Sequence, residues 1–139
     1  MSSLSHVGIA APPSKYDAVV AFYANALAPL DYTALLTFPG VVGMGSTQTK
    51  VPDFWISSKD DAAAQQQSHI AFNAKDKDTV QAFHAAALSA QAGGKDNGAP
   101  GIRPQYRPTY YAAFVLDPLG NNIEALHDPI ETQAEAKRA

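Results

Sequence analysis

The apolar positions of the chain follow two periods in turn. Ser5–Ala10 (SHVGIA) alternates, with Val7 and Ile9 on one face and His6, Gly8 and Ala10 on the other. That period predicts a strand. Asp17–Leu27 (DAVVAFYANAL) then places Val19, Phe22, Ala26 and Leu27 three or four residues apart, which predicts a helix with one apolar face. Tyr32–Phe38, Val41–Gly45 and Asp53–Ser57 read as strands, with Pro39-Gly40 as a turn. The order then begins again. Ser68–Asn73 (SHIAFN) alternates with His69, Ala71 and Asn73 on one face, and Asp78–Leu88 (DTVQAFHAAAL) carries Val80, Phe83, Ala87 and Leu88 at helical spacing. Gly101–Tyr106, Tyr110–Leu116 and Asn122–His127 complete the second set of strands, the last two joined by the turn residues DPLGN. Ser14 and Asp17 form a capping box for the first helix, and Asp76 caps the second.

The chain is thus expected to be one domain of two βαβββ modules. Module one covers about 4–57, a polar, alanine-rich linker 58–67, module two about 68–128, and a charged tail 129–139. The fold class is α+β, with two pseudo-symmetric modules forming a cupped mixed sheet around one metal site. A module with one helix-covered face cannot close a core alone. Pairing two by a pseudo-two-fold axis would bring equivalent residues, and so the two histidines, close together.

Composition narrows the chemistry. Of 139 residues 46% are hydrophobic and 17% charged, and the net charge is −3. Without a basic cluster, nucleic acid is not an expected partner. There is no cysteine, which excludes disulfides and thiolate metal sites. No apolar run approaches the roughly 18 residues of a membrane span, and no secretory signal is evident. A cytoplasmic protein is expected.

His6 and His69 stand at the same register of the repeat, each beside a small residue. A lone histidine of this kind is more often a half-buried residue with a hydrogen-bond partner; two in register favour a joint role. Glu124 stands mid-strand among apolar residues, where a carboxylate is costly unless it pairs with an arginine such as Arg103 or Arg107, reaches solvent, or meets a cation. Aligning the modules puts Glu124 at the position of Trp55. Two imidazoles and one carboxylate suit one divalent ion such as Fe, Zn, Mn, Co or Ni. With three ligands, positions stay open for substrate.

These segments, above all SHVGIA with AFYANAL and SHIAFN with AFHAAAL and YYAAFVLDPLGNNIEAL, resemble the vicinal oxygen chelate superfamily, which includes glyoxalase I, the bleomycin-resistance proteins and the extradiol dioxygenases. The likeness covers about residues 4–128, with Leu119 where an aspartate is common. It implies ligands from the first and last strands of each module, hence His6, His69 and Glu124, with Trp55 in the fourth place. Glyoxalase I has a fourth side-chain ligand there, so the set is closer to that of the extradiol dioxygenases. The implied activity is a metal-dependent lyase, isomerase or dioxygenase acting on a small molecule that chelates through adjacent oxygens. Glu124 would be ligand and base, and Tyr110 or Tyr111 a proton donor. Trp55, Arg103, Tyr106 and Arg107 would line the substrate site, with Asp96–Gly101 as a flanking loop. A homodimer is expected. The alternatives are a small-molecule-sequestering protein without catalysis and a metal-free remnant kept for assembly.

Overall fold

The computed structural model describes residues 3–129; most of the expected tail, residues 130–139, lies outside them. The first module contains β1 (Val7–Ala11), α1 (Pro13–Ala26), a short 3-10 turn (Ala28–Leu30), β2 (Tyr32–Phe38), β3 (Val41–Ser46) and β4 (Pro52–Ser58). The second contains β5 (His69–Asn73), α2 (Lys77–Ala87), β6 (Lys95–Ile102), β7 (Tyr111–Leu116) and β8 (Asn122–His127). Each module forms a four-stranded mixed sheet, ordered β1-β4-β3-β2 and β5-β8-β7-β6. In both, the first strand runs parallel to the last and the rest are antiparallel. The fold is therefore α+β with a repeated module, and the pairing of first with last strand keeps the register of the internal alignment. Gly8 pairs with Trp55 as Ala71 pairs with Glu124.

The helix ends follow local chemistry. Asp76 caps α2, accepting from the Thr79 amide at 2.7 Å and the Thr79 hydroxyl at 2.6 Å. The expected capping box of α1 does not form. That helix begins earlier, at Pro13, with no side-chain cap, so Ser14 and Asp17 lie within it. A proline there needs no amide partner, and its φ is already helical. The linker is not helical. Gln66 stitches it to both modules, donating to the Ala10 carbonyl at 2.7 Å and, through its backbone amide, to the Leu119 carbonyl at 2.7 Å.

One element differs from expectation. The strand expected at Gly101–Tyr106 instead spans Lys95–Ile102, so Asp96–Gly101 is not a loop over the site but most of strand β6, and residues 103–110 form the connection to β7. Glycine and proline here signal an irregular edge rather than a break. Pairing with β7 shifts register at Gly98 and again before Gly101, and Pro100 is tolerable on an edge strand.

The two sheets share one core on their helix-covered faces. Ile9, Phe22, Tyr23 and Phe54 from module one pack with Phe72, Phe83 and Ile123 from module two. Phe54 meets Phe72 edge-on at 5.6 Å, and Tyr23 meets Phe54 at 4.8 Å. A buried carboxylate ties the halves further. Asp117 accepts from the amides of Leu119 and Asn121, from Asn121 Nδ2 and from the Tyr23 hydroxyl on α1. Burial first, then the charge of Asp117, pushes the Tyr23 hydroxyl well above its usual range.

Candidate metal and substrate site

Three of the candidate residues, His69, Tyr110 and Glu124, meet on the outer face of the second sheet. Glu124, central in β8, is 3% exposed. Its Oε1 lies 3.0 Å from His69 Nε2, and its Oε2 accepts from the Tyr110 hydroxyl at 2.5 Å. Alternation and pairing explain the meeting. His69 begins β5, two residues before Ala71, the parallel partner of Glu124, and so stands on the same face. Alanine at 71 leaves the imidazole room to lean over the carboxylate.

The tautomer of His69 follows from its other nitrogen. Nδ1 lies 3.0 Å from the Asn122 carbonyl, an acceptor only, so Nδ1 carries the hydrogen and donates it. In a neutral imidazole the Nε2 lone pair then faces Glu124 Oε1. Two acceptors at 3.0 Å need a positive centre between or beside them, either a proton or a cation. Two ligand atoms each about 2.1 Å from an ion and about 90° apart would stand about 3.0 Å from each other. Metal-binding histidines also commonly donate their second nitrogen to a backbone carbonyl in this way. The pair therefore fits two adjacent positions of a divalent ion.

His6 does not join them within this chain. Its Nδ1 lies 3.0 Å from the Ser5 hydroxyl, and no group of three His, Asp or Glu side chains placed to hold a metal occurs among the described residues. His6 instead borders a groove of about 280 Å³ between the modules, with Tyr32, Asp53, Phe54, Phe72 and Asn73. There the Tyr32 hydroxyl donates to Asp53 Oδ2 at 2.9 Å. Burial and this bond raise the Tyr32 pKa.

The remaining candidates divide between places. Tyr110 reaches Glu124; Tyr111 does not. Tyr111 accepts from Gln81 of α2 at 2.9 Å and lies beneath Lys77, on the helix side. Neither arginine pairs with Glu124. Arg107 forms an ion pair with buried Asp128, which also accepts from Thr109 at 2.8 Å, and Arg107 covers the Tyr110 ring at 5.5 Å. Tyr106 is exposed and packs on Tyr110 at 5.1 Å. Arg103 lies 5.3 Å above the Phe114 ring, and His69 stacks against that ring at 6.3 Å. On the first sheet, Trp55 lies flat across Gly43, where an added Cβ would come within 2.7 Å of the indole. His84 bonds Asp96 at 2.9 Å, and His127 lies 3.1 Å from the Ala74 carbonyl; Glu124 instead bonds His69 and Tyr110.

Sequence reasoning missed two members of the site. Phe114 is the cross-strand partner of Glu124, and Asn122 orients His69 through a backbone carbonyl. Alternation along β7 assigns Phe114 a face, but only the pairing register sets it beside Glu124. A carbonyl contact leaves no trace in residue identity.

No family model matches the sequence, and no curated protein matches it. Solved structures do. A glyoxalase/bleomycin resistance protein from Albidiferax ferrireducens T118 is 28% identical, with TM-score 0.74, over 92% of this chain and 100% of that one. A glyoxalase-related enzyme from Fulvimarina pelagi is 13% identical, with TM-score 0.70 over 94% and 91%. A lactoylglutathione lyase from Agrobacterium tumefaciens is 19% identical, with TM-score 0.63 over 94% and 96%. These neighbours are members of the vicinal oxygen chelate superfamily, and with its duplicated βαβββ units the chain shares their fold.

Proposed function

We propose that the protein is a divalent-metal-dependent enzyme of the glyoxalase/dioxygenase type, acting on a small molecule that chelates through adjacent oxygens. One observation carries this reading: His69, held by the Asn122 carbonyl through Nδ1, turns its Nε2 to an oxygen of the nearly buried Glu124 carboxylate at 3.0 Å. His69 and Glu124 would hold the ion, with His6 as third ligand. When bound, the ion supplies Lewis-acid stabilisation of a substrate oxyanion, or oxygen activation where it is iron. Glu124 is the base, and Tyr110, already donating to Oε2, keeps a proton at hand beside it. Trp55 stands on the first sheet and would offer its flat wall for stacking from a second copy.

His6 is separate from the pair within one chain, so the reading includes a homodimer in which a second copy brings its His6 to this face. Apolar groups exposed on module one support such an interface, among them Leu36 at 43% and Phe38 at 52% on β2. Bulk elemental analysis of wild type and Glu124→Ala tests the first claim. Near one equivalent of a transition metal per chain, lost in the variant, supports it. No metal in wild type after incubation with divalent ions overturns it and favours a sequestering role for the same face.

Mixing tests the second claim. His6→Ala and His69→Ala chains, each metal-free alone, should on co-refolding recover about a quarter of wild-type capacity, because half the dimers are mixed and each carries one intact site. No recovery would place His6 outside the site or within the same chain.

A further inference from the structure

We propose that Arg103 is a built anion anchor, and that the site's ligand carries a carboxylate at the end remote from its paired oxygens. The inference rests on the reading above for where the paired oxygens go, but not for the anchor itself. The guanidinium is held in one place. Nη1 donates to the Gly101 carbonyl at 2.8 Å, Nη2 donates to the Ala99 carbonyl at 2.7 Å, and the group lies 5.3 Å above the Phe114 ring. Its seat depends on missing side chains. A Cβ at Gly98 would stand 3.2 Å from Nη2 and 2.9 Å from the Phe114 ring, and one at Gly101 would stand 3.3 Å from Nη1. The glycines of β6, which bend the strand, thus also leave the space in which the cation lies.

The cation is fixed but not neutralised. Among the described residues no carboxylate lies within ion-pair distance of Arg103. The nearby acids are engaged elsewhere, Glu124 with His69 and Tyr110, and Asp128 with Arg107 and Thr109. Carbonyl oxygens satisfy hydrogen bonds without cancelling charge. A guanidinium has five N–H donors in a planar fork, and two are used here, so a bidentate pair remains for a planar carboxylate. Position supplies the link to the site. Arg103 and His69 both pack on Phe114, the cross-strand partner of Glu124. The anchor and the His69–Glu124 pair thus border the same aromatic side chain.

The test compares 3,4-dihydroxybenzoate with catechol, which share adjacent oxygens and differ by the carboxylate. Affinities are measured by calorimetry on zinc-loaded wild type and Arg103→Gln. A parallel titration follows benzoate binding to metal-free protein by NMR shifts. The acid should bind wild type about tenfold more tightly than catechol, as expected for one charge-assisted contact. The preference should vanish in Arg103→Gln through the acid alone. Gly101→Ala, which crowds Nη1 while keeping the charge, should weaken the acid in the same way and stands in if Arg103→Gln fails to fold. Equal binding of both probes to wild type, or a preference that survives in Arg103→Gln, overturns the anchor. Arg103-dependent benzoate binding with no diphenol bound by the zinc-loaded protein upholds the anchor and overturns the metal reading. Catechol binding with no carboxylate preference does the reverse, and no binding by any probe overturns both.

Discussion

Replacing Tyr23 by Phe removes one hydroxyl and keeps the ring packing. The hydroxyl donates to Asp117 Oδ2, and both residues are buried, at 0% and 5% exposure. The contact joins α1 of module one to the turn between β7 and β8 of module two. Asp117 keeps its bonds from Leu119 and Asn121, so it is not stripped bare. A hydrogen bond to a charged group contributes about 1.5–3 kcal/mol. At about 3 °C per kcal/mol for a chain of this size, the melting point should fall by roughly 5–9 °C.

Urea unfolding followed by circular dichroism measures the change, with an unaltered m-value as the sign that the native fold is kept. The pH dependence adds a second check. The folded-state pKa of Tyr23 is raised, so its stabilisation is complete below the ordinary value of 10.0 and is lost as pH rises toward the folded value. Over that alkaline range the wild type should lose up to about 1.4 kcal/mol per pH unit through this group. The variant should lose correspondingly less, retaining the similar contribution of Tyr32. A loss below about 0.5 kcal/mol at neutral pH, with an unchanged alkaline slope, would refute the account of Asp117 as an inter-module tie.

Three further outcomes follow from the same structure. Gly43→Ala would push a methyl into the indole of Trp55, so the fluorescence maximum of the lone tryptophan should shift while the fold is retained; an unshifted spectrum would contradict the flat placement. Asp76→Asn should weaken the start of α2 and flatten the acid limb of the stability curve. Thr79 holds the Asp76 pKa below its ordinary 3.8, so that stabilisation is present above 3.8 and lost as pH falls through the lower folded value; chemical denaturation between pH 2 and 5 reads it. Arg107→Met removes the Arg107 contact from the side chain of Asp128, 0% exposed, and should cost about 1–3 kcal/mol in urea unfolding, with Tyr110 loosened over Glu124.

Much of this arrangement was legible in the chain. Period-two and period-3.6 patterns are local consequences of backbone geometry, so they located both helices, most strands and the face on which His6, His69 and Glu124 stand. The repeat matched Trp55 with Glu124, and the strand ladders give both the same register. What alternation cannot report is which groups meet across strands and between sheets. Tyr110 and Tyr111 are adjacent in sequence, and only the fold sends one to Glu124 and the other to Gln81. Arg103 and Arg107 are equally cationic, yet pairing across β6–β7 seats one on glycines and carbonyls, while Asp128 at the end of β8 takes the other. His6 and His69 are equivalent in the repeat, but the modules pack through their helix-covered faces and leave His6 out of the His69–Glu124 pair. The sequence by itself determined the modules, their faces and their candidate ligands, because those depend on short-range stereochemistry. The tertiary structure decided which candidates share a site, because that depends on long-range packing of one sheet against another.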